Sequence, residues 1–352
     1  GPDSATQADD HFNTVLYTGD GNNSRTVTGV GFQPDWLWIK RRDGSNSHVL
    51  VDSSRGSGSN DSLLSLLSNV SDAEYDLNDH VRSLDSDGFT LDDDTDNTVA
   101  TNNNSQTYVA WNWKANGGTT SSNSDGTTTS TVQANTTAGF SIITYTGNAT
   151  AGATIGHGLG KAPKWVITKA RSGSYSWLVG HDGLASDPWT DAVLLDTTDA
   201  VSDSNLFWND TAPNSSVITL GGAYNPVNGN NVTYVMYAFA EIEGYSKFGS
   251  YIGNGNANGA FVYTGFRPAL IIIKQTNSTN NWRIIDNKRD GYNGSTKVMY
   301  PSVSNAEGSE VGADLLSNGF KLRADTAGTN ASSGTFIYLA FAENPFKFAN
   351  AR

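Results

Sequence analysis

The strongest constraint in this sequence is a strand-like segment that recurs three times along 352 residues. The copies read GFQPDWLWIK (Gly31–Lys40), GLGKAPKWVITK (Gly158–Lys169) and GFRPALIIIK (Gly265–Lys274). In each copy a glycine-led turn precedes a proline, and a lysine follows that proline by six residues. The interval is too long for a solenoid repeat, so the recurrence predicts three small domains of common origin.

Other segments keep constant offsets from these strands. A polar residue stands twelve positions after each lysine, namely Asp52, His181 and Asp286. The opening motifs are YTGDG, YTGNA and YIGNG, and the closing strands are YVAWNWKA, YVMYAFAE and FIYLAFAE. The distance from the opening tyrosine to the proline is 17, 18 and 17 residues. Length changes confined to loops are typical of duplicated domains.

These offsets predict the domain boundaries. Residues 1–10 are an N-terminal tail whose Gly-Pro start resembles the scar of a cleaved purification tag. The β repeats are expected at residues 11–116, 138–247 and 248–352. Residues 117–137 are rich in Ser and Thr without apolar periodicity, which predicts a flexible or extended linker. The second and third repeats should therefore form a rigid pair, with the first better separated.

The composition favours β structure. Only 16% of residues are charged, and the abundant Gly, Asn, Ser and Asp residues favour turns over helix interiors. Apolar residues recur at helical spacing only in Asp61–Glu74, where a short helix is expected. We predict an all-β chain of three tandem β-sandwich-like repeat domains with about eight strands each. A pseudo-threefold arrangement of the three domains is compatible with this pattern.

Alternation along the repeated strands predicts which residues form the core. In PDWLWIK, Trp36 and Trp38 share one face while Leu37 and Ile39 share the other, so both faces are apolar. Such a strand is expected to be buried on both sides. The closing strands place aromatic residues at one matched position, and these should also be buried: Trp113, Phe239 and Phe341.

Charge and cysteine content exclude several kinds of partner. The net charge of −13 disfavours a nucleic-acid partner, because phosphate binding needs a basic surface. No apolar run approaches the roughly eighteen residues that a membrane span needs, so no membrane insertion is expected. The chain has no cysteine, which removes disulfides, thiolate metal sites and cysteine nucleophiles.

One acidic run suggests a cation. In LDDDTDN, the alternating Asp92, Asp94 and Asp96 suit a Ca²⁺ loop. An EF-hand loop would have glycine and glutamate where Asn97 and Asn103 stand, so a solvated turn is the favoured interpretation. No His-x-x-x-His pair supports zinc, and no other cofactor is expected.

The sequence carries little sign of catalysis. There is no G-x-S-x-G nucleophile motif, and the G-x-G strings precede strands instead of helices. Asp52 and Asp286 recur by duplication, which indicates structural capping. The separation that a pair of glycosidase carboxylates needs is not fixed by sequence. We therefore expect a protein without enzymatic activity.

Glycan binding is a further expectation. Exposed aromatic rings give carbohydrate sites flat apolar platforms, and Asn and Asp give hydrogen bonds. Any single loop aromatic more often covers its own domain than holds a sugar. The candidates in loops are Tyr175, Trp189, Trp208, Tyr224 and Tyr292.

The motifs YTGDG, GVGFQPDWLWIKRR, HVLVDSSRG, SDGFTL and TYVAWNWKANGG resemble a repeated domain of uncharacterised function in tail-fibre and other virion proteins of marine bacteriophages. The closing AFAENPFKFANAR is similar to the ends of such proteins, whereas GLGKAPKWVITK departs from the usual form. The resemblance implies a virion or extracellular location, contact with other virion proteins or a host-surface glycan, and a homo-oligomer, a trimer by analogy.

Together these observations predict a non-enzymatic phage virion appendage protein, which is a tail-fibre, receptor-binding or structural segment. Two alternatives stay open at this point. One is an array of carbohydrate-binding modules from a secreted marine bacterial protein. The other is a polysaccharide depolymerase, which would need two carboxylates in an open groove.

Overall fold

The structure, a computed structural model, describes residues 7–59, 61–95, 99–184, 187–291 and 293–343. The regular secondary structure of the described residues is almost entirely β-strand, with two single-turn helices and a 3₁₀ turn at Ala8–Asp10. No helix in these ranges has the length and apolar character needed to cross a bilayer. We call residues 8–116 unit 1, residues 117–245 unit 2 and residues 246–343 unit 3.

The strands follow the repeats. Unit 1 contains β1 Phe12–Thr18, β2 Arg25–Thr28, β3 Trp36–Arg41, β4 Val49–Asp52, β5 Leu66–Leu67, β6 Val81–Asp85, β7 Gly88–Leu91 and β8 Thr107–Trp113. Unit 2 contains β9 Ser121–Asn123, β10 Ser130–Asn135, β11 Phe140–Thr146, β12 Thr154–Gly156, β13 Trp165–Ala170, β14 Leu178–His181, β15 Asp191–Leu194, β16 Ser202–Asp203, α1 Asn205–Trp208, β17 Val217–Thr219 and β18 Thr233–Phe239. Unit 3 contains β19 Ser246–Ile252, β20 Phe261–Tyr263, β21 Pro268–Gln275, β22 Arg283–Asp286, β23 Lys297–Val298, β24 Gly308–Ser309, β25 Ala313–Leu316, β26 Gly319–Leu322, α2 Ala327–Asn330 and β27 Thr335–Ala342.

All three units share one topology. In each large sheet the strand that carries the opening motif pairs with the closing strand. The closing strand pairs with the strand that begins at or just after the repeated proline, and that strand pairs with its hairpin partner: β1-β8-β3-β4, β11-β18-β13-β14 and β19-β27-β21-β22. A small second sheet contains the pairs β2-β7, β12-β17 and β20-β26. The pairing register is also equivalent, since Trp36 faces Trp113, Trp165 faces Phe239 and Leu270 faces Phe341. The all-β, multi-sheet fold predicted from the sequence is confirmed.

Each large sheet is buried on both faces, as the strand alternation predicts. In unit 1, Leu37 and Ile39 pack against Val27 and Phe89 of the small sheet. Trp36 and the other residues of the opposite face join a core that contains residues of all three units. One face therefore closes a sandwich-like unit, and the other face packs against the neighbouring units.

The shared core centres on the matched aromatic residues. Trp113, Phe239 and Phe341 are 1%, 1% and 0% exposed, which confirms that they are buried. The ring of Phe341 lies 5.8 Å from that of Trp113 and 5.6 Å from that of Phe239. Trp36 stacks on Tyr237 of unit 2 at 4.3 Å. Unit 1 therefore packs directly on units 2 and 3, and the expectation that it is better separated is wrong.

The segment expected to be a linker differs from that expectation. β9 and β10 extend the large sheet of unit 2, with Val132 paired to Ile143. Val132 and Gln133 are buried. Hydroxyl-rich sequences form strands readily when an edge is available for pairing, and the flank of β11 supplies that edge.

The expected helix at Asp61–Glu74 is also wrong. Leu66 and Leu67 form β5, which pairs with β4, and Ser65 bridges Tyr75. Leu66 is fully buried in the shared core. Tertiary pairing with an open sheet edge outweighs the weak helical spacing of the leucines.

Truncating the centre of the shared core should destabilise the whole chain. We expect Phe341→Ala to lower the free energy of unfolding by about 3–5 kcal/mol, because a buried phenylalanine leaves a cavity. Urea denaturation followed by tryptophan fluorescence measures this. Phe261→Ala is the matched control, since Phe261 is 46% exposed and its loss should change stability by under about 1 kcal/mol. Equal losses in the two variants would contradict the assignment of the core.

Candidate functional site

The polar residues that end β4, β14 and β22 bind the next unit. The Tyr237 hydroxyl donates to Asp52 Oδ2 at 2.6 Å, and Trp111 Nε1 donates to Asp286 Oδ2 at 3.1 Å. His181 Nε2 lies 3.0 Å from the carbonyl oxygen of Tyr338. The Asp52 bond joins unit 1 to unit 2, the Asp286 bond joins unit 3 to unit 1, and the His181 bond joins unit 2 to unit 3.

His181 replaces aspartate for a chemical reason. Leu339 occupies the register position that Trp111 and Tyr237 fill in the other units, and its side chain has no donor for a carboxylate. His181 instead donates from Nε2 to a carbonyl, while Nδ1 accepts from the N–H of Gly183 at 2.9 Å. Burial lowers the pKa of His181 to about 4, so the ring stays neutral in this position.

An ionic chain reinforces two of the three interfaces. Arg55 Nε contacts Asp52 at 2.5 Å, and Arg55 Nη1 contacts Glu74 at 2.7 Å. Glu74 accepts in turn from Arg171 of unit 2 at 2.9 Å. The unit 3–unit 1 interface repeats this chain with Asp286, Arg289, Glu307 and Arg42.

The interface between units 2 and 3 replaces the ionic chain with largely apolar residues. The backbone bonds identify the matched positions, because Glu74 N donates to Arg171 O while Val201 N donates to Thr276 O. Leu184 stands where Arg55 stands and is fully buried in the shared core. One fold therefore contains an ionic and an apolar solution to the same contact, which indicates that these charges are structural.

The lysine that follows each proline by six residues is also structural. Lys169 Nζ donates to the Ser71 carbonyl of unit 1 at 3.0 Å, and Lys274 Nζ donates to the Thr198 carbonyl of unit 2 at 3.3 Å. Lys40 donates to the carbonyls of its own hairpin. Burial lowers the pKa of Lys40 to about 7 and that of Lys169 and Lys274 to about 8.

A buried asparagine in each unit was not singled out from the sequence. The side-chain oxygens of Asn102, Asn228 and Asn330 accept from the backbone N–H of the fourth residue of each opening motif, at 3.0–3.1 Å. The glycine of each opening motif passes so close to this turn that a Cβ at Gly19 would overlap the carbonyl oxygen of Asn103. The signal was present, because an asparagine recurs shortly before each closing strand.

The acidic run is a folded turn. Asp92 accepts from Ser24 N and pairs with Arg82 at 3.1 Å, and Asp94 Oδ2 accepts from Thr101 N at 2.6 Å. Asp96 lies outside the described residues. Among the described ranges, no three His, Asp or Glu side chains lie close enough to hold a metal ion. Protein donors thus occupy Asp92 and Asp94, the two described carboxylates of the three that the sequence offered to Ca²⁺.

The loop aromatics proposed as glycan platforms are mostly covered. Trp189 and Trp208 are 4% and 0% exposed and pack edge to face at 5.9 Å. The expectation that these two rings offer platforms to a glycan is therefore wrong. Both indole N–H groups donate within unit 2. Tyr175 and Tyr224 are half-buried against the same core. Tyr292 lies outside the described residues.

A different pair of aromatic residues is exposed. Phe261 and Tyr263 lie on the outer face of β20 and are 46% and 64% exposed. Tyr263 faces Gly319 on β26, and Leu316 lies beyond Gly319 on β25. A Cβ on Gly319 would overlap the carbonyl oxygen of Val262 and lie 3.1 Å from Cζ of Phe261, so the Phe261 ring lies beside Gly319.

Charged groups border this face. Phe261 pairs with Lys321, and Asp314 lies beyond Lys321 on β25. Lys321 Nζ donates to the Gly259 carbonyl at 2.8 Å, and Asp314 pairs with Arg323 at 3.1 Å. The surface therefore combines apolar rings with fixed donors and acceptors. We call Phe261, Tyr263, Leu316, Gly319 and Lys321 the aromatic face.

The aromatic face belongs to unit 3 alone. The matched residues are Thr26 and Thr28 in unit 1 and Thr154 and Gly156 in unit 2. The core position between them stays apolar in every unit. The outer face has therefore diverged while the inner face has not. Sequence reasoning missed it because it searched loops, whereas the pattern lies in FVY at Phe261–Tyr263.

The fold thus defines an all-β protein of three like units joined through one core. A family model matches residues 7–345, and the chain belongs to that family, described as a domain of unknown function (DUF7483). The matched range spans all three units. No curated protein matches the chain.

Removing one arginine should expose the role of the ionic chain. We expect Arg55→Leu to lower the free energy of unfolding by about 3–5 kcal/mol, because Asp52 stays buried without its cation. The control carries Asp52→His, Arg55→Leu, Glu74→Val, Arg171→Thr and Tyr237→Leu, which copies the interface of units 2 and 3. It should recover most of the loss in urea denaturation. A control as unstable as the single variant would contradict the equivalence of the interfaces.

His181 should make stability depend on pH. Between pH 4 and 6.5 the unfolded histidine takes up a proton that the folded one does not, so stability falls as pH decreases through this range. His181→Gln keeps a donor and an acceptor without this titration. We expect urea midpoints at pH 7 and pH 4.5 to differ less in the variant than in the wild type. Parallel pH profiles would show that His181 is not the titrating group.

Proposed function

We propose that this chain is a non-enzymatic segment of a phage virion appendage, such as a tail fibre, that binds a host-surface glycan through the aromatic face of unit 3. The motif resemblance supports the virion location. The exposed pair Phe261 and Tyr263 is the observation that carries the binding role. Other virion proteins as partners, and a homotrimer, stay predictions from the resemblance.

The geometry of the pair suits a sugar. Two residues on one strand face are about 7 Å apart, so two rings form a platform longer than one ring. The C–H face of a sugar stacks on such rings, and Lys321 and Asp314 stand beside them to bond hydroxyl groups. The same arrangement supports the alternative of a carbohydrate-binding module in a secreted protein.

The polar residues that recur in the three units support a role without catalysis. Asp52 and Asp286 are each buried against an arginine of their own unit and a hydrogen-bond donor of a neighbouring unit. The three lysines donate to backbone carbonyls. A catalytic carboxylate needs access to substrate, and these have none. We further infer a pseudo-threefold arrangement of the units, because equivalent bonds occur at each of the three interfaces.

Substituting the pair tests the proposed function. On an array of marine and lipopolysaccharide glycans, we expect the wild-type chain to bind and Phe261→Ala with Tyr263→Ala to weaken binding about tenfold or more. Thr26→Ala with Thr28→Ala changes the matched positions of unit 1 and should bind as the wild type does. No binding by the wild type, or equal binding by both variants, would refute the proposal.

A further inference from the structure

A segment of unit 2 lies along the free edge of its small sheet. Thr128 pairs in parallel with β12, and its N–H donates to the Thr154 carbonyl at 2.9 Å. The Thr127 hydroxyl accepts from Thr154 N at 2.9 Å, and the Ser130 hydroxyl donates to the Gly156 carbonyl at 2.8 Å. This hydroxyl-rich stretch, which precedes and continues into β10, therefore satisfies the edge of β12.

The equivalent edge in unit 3 has no such segment. Leu322 N donates to the Ala260 carbonyl, and Thr264 N donates to the Asn318 carbonyl. Because backbone groups alternate along an antiparallel strand, the N–H and C=O groups of Phe261 and Tyr263 point away from β26, to the opposite edge of β20. Within the ranges that the structure describes, β20 pairs only with β26.

We propose that this edge of β20 accepts an extended peptide segment of another protein chain, added parallel to β20 as the hydroxyl-rich stretch is added to β12. The proposal is separate from glycan binding, since strand addition depends on hydrogen bonds to backbone N–H and C=O groups, which a glycan stacked on the ring faces does not need. Peptide addition to an exposed sheet edge is an established recognition mode.

The chain supplies the argument for this occupant. In unit 2 the covering stretch comes from residues 117–137, which precede β11, whereas only a short turn joins β18 to β19. Unit 3 therefore has no matching stretch before β19. An open edge beside exposed apolar side chains readily pairs with another chain.

Unit 1 offers an internal comparison. Its matched strand β2 also lies at a sheet edge, but it carries Thr26 and Thr28, and Thr26 lies 3.4 Å from the Thr90 hydroxyl. A partner strand would gain little apolar contact there. Beside β20, the rings of Phe261 and Tyr263 would add apolar contact to the backbone bonds. Strand addition is therefore expected at unit 3 and not at unit 1.

A tethered peptide tests the edge directly. Residues 123–134 of this chain, NSDGTTTSTVQA, are appended after Arg352 through a Gly/Ser linker, which raises the effective concentration to about millimolar. Hydrogen exchange by NMR should show the amides of Phe261 and Tyr263 slowed at least about tenfold, as expected for new hydrogen bonds. The amides of Thr26 and Thr28 should not change. A tail with proline in place of the residue that copies Thr128 should give no protection.

Two substitutions separate this proposal from glycan binding. Tyr263→Thr keeps the edge N–H and should retain protection of Phe261 by the tail while weakening glycan binding. Tyr263→Pro removes that N–H without breaking pairing to β26, and should abolish the protection. Circular dichroism checks that Tyr263→Pro folds. If it does not fold, the comparison of the two tails on the otherwise unchanged chain tests the proposal instead.

Three results would overturn the proposal. The first is unchanged exchange at Phe261 and Tyr263 with the tail attached. The second is equal protection by the proline tail. The third is a wild-type dimer in analytical ultracentrifugation that Tyr263→Pro dissociates, which would assign the edge to a second copy of this chain instead of a partner strand.

Discussion

The structure depends on one constraint, which is that each large sheet has two apolar faces and only one small sheet of its own. The small sheet of unit 1 covers Leu37 and Ile39, whereas Trp36 and Trp38 on the other face are buried in the core that units 2 and 3 share. Burying a tryptophan face contributes several kcal/mol, so the uncovered faces must find one another. The three units satisfy this together, around Trp113, Phe239 and Phe341. A single unit would expose the face that it needs to bury.

Fusing the units also buries polar strand ends, and the molecule solves that problem in two ways. Two interfaces keep aspartate, arginine and glutamate together with an arginine of the next unit. The third uses neutral His181 with Leu184. Buried ion pairs often contribute no more than a well-packed apolar set of similar size, which explains how both solutions persist in one fold.

The sequence was most informative where packing repeats. Constant offsets predicted three like units, and strand alternation predicted burial of Trp113, Phe239 and Phe341, since both follow from local geometry. It failed for residues 117–137 and for Leu66, because whether a weak strand forms depends on a neighbouring edge that local pattern does not reveal. It also placed the aromatic platforms in loops. Trp208 shows why, since it ends the short helix α1, which packs on the core of its own unit, whereas exposure on a strand depends on which sheet lies beneath.

These constraints locate where the units are free to differ. The inner faces of the sheets are constrained by packing in the shared core, the strand ends by contacts with the neighbouring unit, and the buried asparagines by hydrogen bonds to their loops. None of these contacts constrains the outer face and the free edge of each small sheet. Unit 1 keeps threonines there and unit 2 covers the edge with its own chain, while unit 3 presents Phe261 and Tyr263 to solvent. Exposed aromatic rings lower solubility without helping the fold, so a pair of them at positions that hold threonine or glycine in the other units is more readily explained by recognition than by packing.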